Sequence, residues 1–295
     1  MTPLDSDLLR SFLTLVEEGS VTGAAARLGR TQSAVSMQLK RLEDHAGHSL
    51  FLRAPRGLVL TPAGQRLLPH ARTAVAAVAR AAEVMEDRAE TAPLRLGLPP
   101  EYVEQLLPRL VPAMANLHPE AQLTLRSDYS IPGLAALEAG ELDFMIYFDT
   151  VVQPGQGELL AMDPTVWVTS RQHAQHLRRP LPIASYLESD WCQSHMIGSL
   201  ERRGIEWRSV FECDTTHGFW TVVRQGFAVV ALARSAIPPD CRELTEAEGF
   251  PLVDASCVML RRRAGVEGPA ADSLAILLRQ IFATLPEGTA HAARP

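Results

Sequence analysis

Cysteine is scarce in this chain. Its four thiols, Cys192, Cys213, Cys241 and Cys257, are too few and too late along the sequence for a disulfide framework. No two are spaced as Cys-x-x-Cys, so a zinc finger lacks its ligands. His173 and His176 lie in a polar, Gln-rich run that reads as a solvated loop rather than a metal site, and neither a metal nor a cofactor is expected. Long apolar runs are also missing. The most apolar windows, such as Phe227 to Ile237, are broken by charge well short of the ~18 residues that cross a bilayer. Met1 to Asp7 is polar and acidic, with no basic segment leading into an apolar stretch, which reads against a secretory signal. A soluble, cytoplasmic protein is the expectation. The motifs of common catalytic sites are absent: no GxSxG elbow, no HExxH, no P-loop and no GxGxxG after a strand, so an enzyme is not expected. Nor is there a basic excess, with 28 Lys+Arg against 34 Asp+Glu and a formal charge of −6. Taken whole, that balance argues against a nucleic-acid binder.

What is present changes that reading. The 295 residues suit two domains of roughly 150 residues each. An apolar fraction of 46% supplies real cores and excludes disorder. Charge is unevenly spread. Residues 27 to 66 hold seven cations, Arg27, Arg30, Lys40, Arg41, Arg53, Arg56 and Arg66, against Glu43 and Asp44, a local charge of +5. From residue 91 onward, 17 basic and 24 acidic residues leave −7.

The basic stretch has an ordered pattern. Leu8, Leu9, Phe12, Leu13 and Val16 form one apolar helical stripe. Gly19 is a left-handed stop, and Ser20 caps a second, short helix with Val21, Ala24, Ala25 and Leu28 inward. Gly29 ends it, and Thr31 caps a third helix that buries Val35, Leu39 and Leu42. Two short helices, a Gly-containing turn and a third amphipathic helix make a helix-turn-helix. On its outward face, Gln32, Ser33, Ser36, Met37 and Lys40 recur at spacings of three and four. Short polar side chains there can bond base edges, and Lys40 can meet a phosphate. Leu50 to Arg53 and Leu58 to Leu60 flank a Pro/Gly turn and predict a β-hairpin, with Arg53 and Arg56 beside its tip to reach a phosphate backbone or a narrow minor groove. A hairpin appended to a helix-turn-helix is a winged helix.

Thr61 and Pro62 mark the start of a further helix running to about Glu90. Ala71, Val75, Val78, Ala82 and Met85 follow in heptad steps and read as a dimerisation seam. Pro69 predicts a kink or break.

The run Gly19-Ser20-Val21-Thr22-Gly23-Ala24-Ala25, then Thr31 to Ser36, Arg41-Leu42-Glu43, Leu50-Phe51 and Leu60-Thr61-Pro62-Ala63-Gly64 resembles the N-terminal domain of LysR-type transcriptional regulators. The resemblance implies double-stranded operator or promoter DNA as a partner, with Thr22, Arg30, Thr31, Gln32, Ser33, Ser36, Lys40, Arg41, Arg53 and Arg56 at the interface. It further implies a homodimer or homotetramer paired through the linker helix, and RNA polymerase as a contact. Many relatives carry proline where Ser33 sits and an aliphatic residue where Arg30 sits.

From residue 94 the texture becomes alternating strands and helices, which implies α/β units with parallel pairing. Strands are expected at Leu94 to Leu98, Leu123 to Arg126, Leu142 to Phe148 and Thr165 to Thr169, with Cys192 and Cys213 each closing a later one. Helices are expected at Glu101 to Leu117, Pro132 to Ala139 and Ala270 to Thr284. The segments Leu94 to Leu98, Leu107-Pro108, His118-Pro119, Gly140 to Asp143 and Val223 to Val230 resemble the effector-binding domain of the same regulators, built like a periplasmic binding protein. The expected organisation is thus a winged helix-turn-helix over 1–61, a linker helix over 62–90, one lobe over 91–163 plus 264–295, and a second over 164–263.

Ligands of open α/β sheets bind outside the strand C-termini, near helix N-termini. Four segments meet that requirement. Pro100, Glu101 and Tyr102 follow the first strand, Ser127 and Ser130 the second, and Phe148 the third. Ser194, His195, Thr215 and Thr216 come from the other lobe. Hydroxyls with a histidine suit a small carboxylate or amide, but relatives often have a serine or threonine where this chain has Pro100 or Glu101, and Glu101 would repel an anion unless a cation paired it. A thiol sensor is the rival reading for this part. It needs Cys192 or Cys213 in surroundings that lower the thiol pKa, with His195 and His217 as the nearby groups able to do so.

Overall fold

The computed structural model describes residues 4–54, 57–85, 93–153, 155–187 and 189–284. They form two compact units. One comprises Met1–Arg95, Ala121–Thr124 and Ile131–Asp143; the other comprises Leu96–Glu120, Leu125–Ser130 and Phe144–Pro295.

The first unit opens with three helices, α1 (Ser6–Glu18), α2 (Val21–Leu28) and α3 (Gln32–Ala46). Each begins at a capping side chain: Asp5 accepts from the Asp7 amide, Ser20 from Gly23 and Thr31 from Ala34. The caps at Ser20 and Thr31 and the glycine stops at Gly19 and Gly29 fall where the sequence places them, because both are local devices that satisfy otherwise orphaned helix-end groups. The core buries Leu8, Leu9, Phe12, Leu15, Ala24, Ala25, Val35, Leu42, Leu50 and Phe51. Phe12 is fully enclosed and packs its ring 5.4 Å from that of Phe51.

The wing is β1 (Phe51–Ala54) paired antiparallel with β2 (Gly57–Leu60), with Arg53 opposite Leu58. It docks on the turn between α1 and α2, where the Leu58 amide donates to the Gly19 carbonyl at 2.8 Å. Gly57 is required at this contact: its φ is +126°, and a Cβ would lie 2.4 Å from the Gly19 oxygen.

Helix α4 (Pro62–Met85) starts at Thr61, whose hydroxyl donates to the Ser49 carbonyl and accepts from the Gly64 amide. Two expectations need correction here. Pro69 does not break α4, which runs continuously through it. The heptad seam is not wholly free either. Ala71 is buried in the core of the first three helices and Val75 packs against it, because α1 covers this part of α4. Val78 and Ala82 remain exposed. The side chain of Met85 and the stretch 86–92 lie outside the described residues.

The rest of the chain builds β3 (Leu94–Leu98), α5 (Val103–Leu117), β4 (Leu123–Ser127), α6 (Ser130–Glu138), β5 (Phe144–Asp149), β6 (Glu158–Met162), β7 (Thr165–Ser170), β8 (Leu181–Tyr186), α7 (Gly198–Arg202), β9 (Trp207–Cys213), α8 (Thr216–Arg224), β10 (Val230–Ala233), β11 (Cys241–Glu243), β12 (Cys257–Arg262) and α9 (Pro269–Phe282). A five-stranded sheet has the order β4-β3-β5-β12-β6, a three-stranded sheet the order β10-β7-β11, and β8 pairs with β9. A bridge between Ile183 and Val229 ties β8 to the approach of β10.

The sheets are mixed rather than all parallel. β3 and β5 run parallel, as do β8 and β9, whereas β12 is antiparallel to β5 and β6, and β7 to β10 and β11. The chain crosses from the larger sheet to the smaller at Asp163–Thr165 and returns at Asp254–Ser256, the two crossings bonded to each other. Strand β12 is the return, so residues 257–262 lie in the five-stranded sheet and not with 164–256. Cys192, expected to close a strand, instead begins a helical segment, Cys192–Ile197. The buried residues explain it: Cys192 and Met196, with Leu200 of the following α7, recur every four positions, a helical spacing.

Candidate nucleic-acid interface and effector cleft

Helix α3 buries Val35 and Leu42 and exposes Gln32, Ser33, Ser36, Met37, Lys40 and Arg41. Between α3 and the wing lies an open groove of about 740 Å³, lined by Ser36, Lys40, Asp44, His48, Arg53 and Leu58 among others. The Glu43 carboxylate accepts from the Leu50 amide at 2.7 Å and thereby fixes where the wing begins.

The structure redistributes the basic charge. Arg27 is paired with Glu17 and Glu18 at 2.8 and 3.0 Å, and Arg30 with Asp7 at 2.9 Å. Among the described residues, Lys40, Arg41, Arg53 and Arg66 make no such pair. Of the described cations in residues 27 to 66, the unneutralised ones therefore lie on α3, the wing and the start of α4. Arg30, expected at the DNA interface, is exposed and held by Asp7 of α1. Thr31 caps α3 and lies 3.0 Å from the Ser33 hydroxyl, and Thr22 is exposed on α2. Arg56 lies outside the described residues.

In the second unit, the residues expected to meet a ligand divide into two groups. Glu101 and Thr216 come together, the Thr216 hydroxyl donating to Glu101 Oε1 at 3.3 Å. Glu101 follows β3 and Thr216 begins α8, so this contact joins the two sheet systems. Thr215 caps α8 through the Gly218 amide. Beside them the Tyr129 hydroxyl donates to the Asp214 carbonyl, and Tyr129 meets Tyr186 edge to face at 6.1 Å. Neither tyrosine was singled out from the sequence, although Tyr129 sits inside the loop after β4 that was.

Tyr102 is corrected from ligand residue to structural anchor. It is fully buried, and its hydroxyl donates to Asp163 Oδ2 at 2.6 Å. Asp163 also accepts from the backbone amide and the hydroxyl of Ser235, tying the first crossing to the residues after β10. Ser130 is likewise used internally, accepting from the Phe148 amide at 2.9 Å, while Phe148 stacks its half-buried ring 5.6 Å from Tyr102. Ser127 is exposed at the end of β4 and Pro100 is half-buried. Ser194 and His195 bond each other at 2.9 Å on the far side of Trp191, whose ring stacks on His195 and reaches Tyr186 edge to face.

Burial pushes the Glu101 carboxyl above the ordinary carboxylate range. Burial and then the Glu101 charge push Tyr129 up to about 12 and Tyr186 well above the ordinary phenol. Burial also raises the thiols of Cys192, Cys241 (to about 11) and Cys257. A sensing thiol needs the opposite shift, and these three are held protonated. Among the described residues no cluster of His, Cys, Asp or Glu has the makings of a metal site, and no helix is long and apolar enough to cross a membrane.

The two parts of the chain that carry these residues have known counterparts. Residues 6–65 match the family model for the bacterial regulatory helix-turn-helix protein of the lysR family, and residues 87–283 match the LysR substrate binding domain. The chain belongs to the LysR family of transcriptional regulators. A curated relative, the HTH-type transcriptional regulator DgdR of Burkholderia cepacia, is 32% identical over 242 residues, covering 80% of each chain. The crystal structure of the LysR family regulator CbnR superposes with a TM-score of 0.62 at 18% identity, covering 95% of this chain and 99% of that one. Full-length CbnR complexed with its target DNA gives 0.59 at 18%, covering 94% and 100%. These two structures establish the fold. As a LysR-type regulator, the protein binds DNA through its N-terminal helix-turn-helix, carries an effector-binding domain, and regulates transcription rather than catalysing a reaction.

Proposed function

We propose that Gln32, Ser33 and Ser36 read base edges in the major groove while Lys40, Arg41 and Arg53 hold the phosphates, and that an effector seated beside Glu101 and Thr216 alters this binding. The observation that carries the reading is α3 itself, with its apolar side covered and its polar side open next to cations that have no acidic partner. The domain assignment proposed is 1–61 for the DNA-binding head, 62–90 for the linker helix, and two lobes meeting at the crossings. An effector that closes or parts the lobes would change how the linked heads are spaced on the operator, in the cytoplasm where RNA polymerase is contacted.

The test uses an operator selected from randomised duplexes. Gln32→Ala and Ser36→Ala each reduce discrimination between operator variants by about 1–3 kcal/mol per lost base contact. Arg53→Ala weakens all sequences alike and lowers the slope of log affinity on log salt by about 0.9. An unchanged order of preference in the first two variants, or a loss confined to one sequence in the third, sinks the assignment.

We also propose that the exposed part of α4 pairs two chains into a homodimer, the unit from which a tetramer is built. Val78 is 45% exposed although apolar, and Ala82 lies one helical turn along the same face. Val78→Asp places a charge in that seam and is expected to shift the protein toward monomer in sedimentation velocity. An unchanged assembly state would place the dimer contact elsewhere.

A further inference from the structure

The Glu101 carboxylate is nine-tenths buried, with a residue exposure of 7%. One oxygen accepts from Thr216, and the other, Oε2, is buried with no hydrogen-bond partner. Among the described residues no Arg, Lys or His pairs with it, and the charged group that acts on it is a second carboxylate, Asp163. Asp163 has its own donors in Tyr102 and Ser235 and offers Glu101 none.

A carboxylate withdrawn from water without a counterion is costly, so such a group holds a proton more tightly, as the raised Glu101 pKa shows, until a cation pairs with it. A buried acid that feels the charge of a second acid repels an anion and attracts a cation. The nearby rings strengthen that selection. Tyr129 and Tyr186 meet edge to face beside Glu101, close enough for its charge to raise both phenols. An aromatic face draws a cation further.

We propose that the effector of this regulator carries a protonated amine or a guanidinium, and that this group pairs with the free oxygen of Glu101. The inference rests on the reading of Glu101 and Thr216 as part of the effector site and names the chemical class that site selects. It replaces the small carboxylate that the hydroxyls alone favour. The bound cation supplies the missing hydrogen bond to Oε2, and Thr216 keeps its bond to Oε1, so one carboxylate joins ligand, β3 side and α8 side.

The test measures thermal unfolding of the full-length protein with five probes at equal ionic strength. Methylguanidinium and butylammonium are the cations, N-methylurea and butanol their neutral isosteres, and butyrate the anion. The cations are expected to raise the unfolding midpoint with a concentration dependence that reports affinity, and the isosteres and butyrate are not. Glu101→Gln, which keeps the shape and the Thr216 bond, is expected to weaken cation binding about 10–100-fold. Glu101→Asp, which keeps the charge, is expected to restore part of it. Absence of a cation effect in the native protein, or an equal effect in Glu101→Gln, overturns the proposal. If butyrate or N-methylurea instead stabilises the native protein and loses its effect in Thr216→Val, the effector site stands where it was placed and the cation class alone is refuted. Operator binding in the same samples reports independently on the DNA-binding assignment.

Discussion

Replacing Phe12 by alanine is expected to remove about 3–5 kcal/mol from the stability of the DNA-binding head. The ring is fully enclosed, packs on Phe51 of the wing and shares a core with Leu15, Ala24 and Val35. It therefore joins α1, the turn pair and the hairpin at one point. Its loss leaves a cavity that the short helices cannot collapse, since capped ends and the Gly57 contact fix where each begins. Circular dichroism should show the melting midpoint of this region falling by more than about 10 °C, with operator binding lost at temperatures the native protein tolerates. Met37→Ala is the control. That side chain is 55% exposed on the same three-helix unit, and its truncation should stay within about 0.5 kcal/mol. Equal losses in the two variants would mean that the head is not held together through Phe12.

The difference between those two residues was readable without coordinates, because the helical period separates inward from outward positions. The caps at Ser20, Thr31 and Thr61 were equally legible, each being a side chain that bonds an amide three residues away. Coverage was not legible. Ala71 and Val75 stand at seam spacing, and nothing in α4 says that α1 lies over them. Nor does the spacing of Arg27 and Arg30 show that Glu17, Glu18 and Asp7 neutralise them, since those acids belong to a different helix. The +5 count therefore overstated the charge offered by α2 and located correctly that of α3 and the wing.

In the larger part the same division holds. Strands with continuous apolar runs, such as β5 and β7, stand out. β6 exposes Leu159 and Met162, and β12 depends on partners far earlier in the chain, with Cys257 opposite Met162 and Arg262 opposite Phe144, so neither its sheet nor its antiparallel direction has a local signal. The short stretch after Trp191 was misread because a run of few apolar residues fits both periods until its buried positions are known. At the proposed effector site, Glu101 and Thr216 are named from their places after a strand and at a helix start, and the structure brings them into contact. Tyr102 shared that place but not that role, since its phenol is claimed by an aspartate sixty-one positions away.

That aspartate carries the second large effect. Asp163→Ala is expected to destabilise the protein by about 3–5 kcal/mol, because orphaning a buried donor costs about 1–3 kcal/mol and this carboxylate serves several. Its partners are the buried Tyr102 hydroxyl and both the amide and hydroxyl of Ser235. Part of the loss is the phenol stranded in an apolar setting against Phe148 and Phe282. Tyr102→Phe in the same chain removes that stranded group, so the double variant should be more stable than Asp163→Ala alone, a coupling readable in a double-mutant cycle by urea denaturation. Additive losses would mean that the two residues act separately. The cycle also bears on how the lobes communicate. Asp163 sits at the crossing between the sheets and holds Tyr102, next in sequence to Glu101, so a ligand drawn to Glu101 pulls on the segment through which one sheet becomes the other.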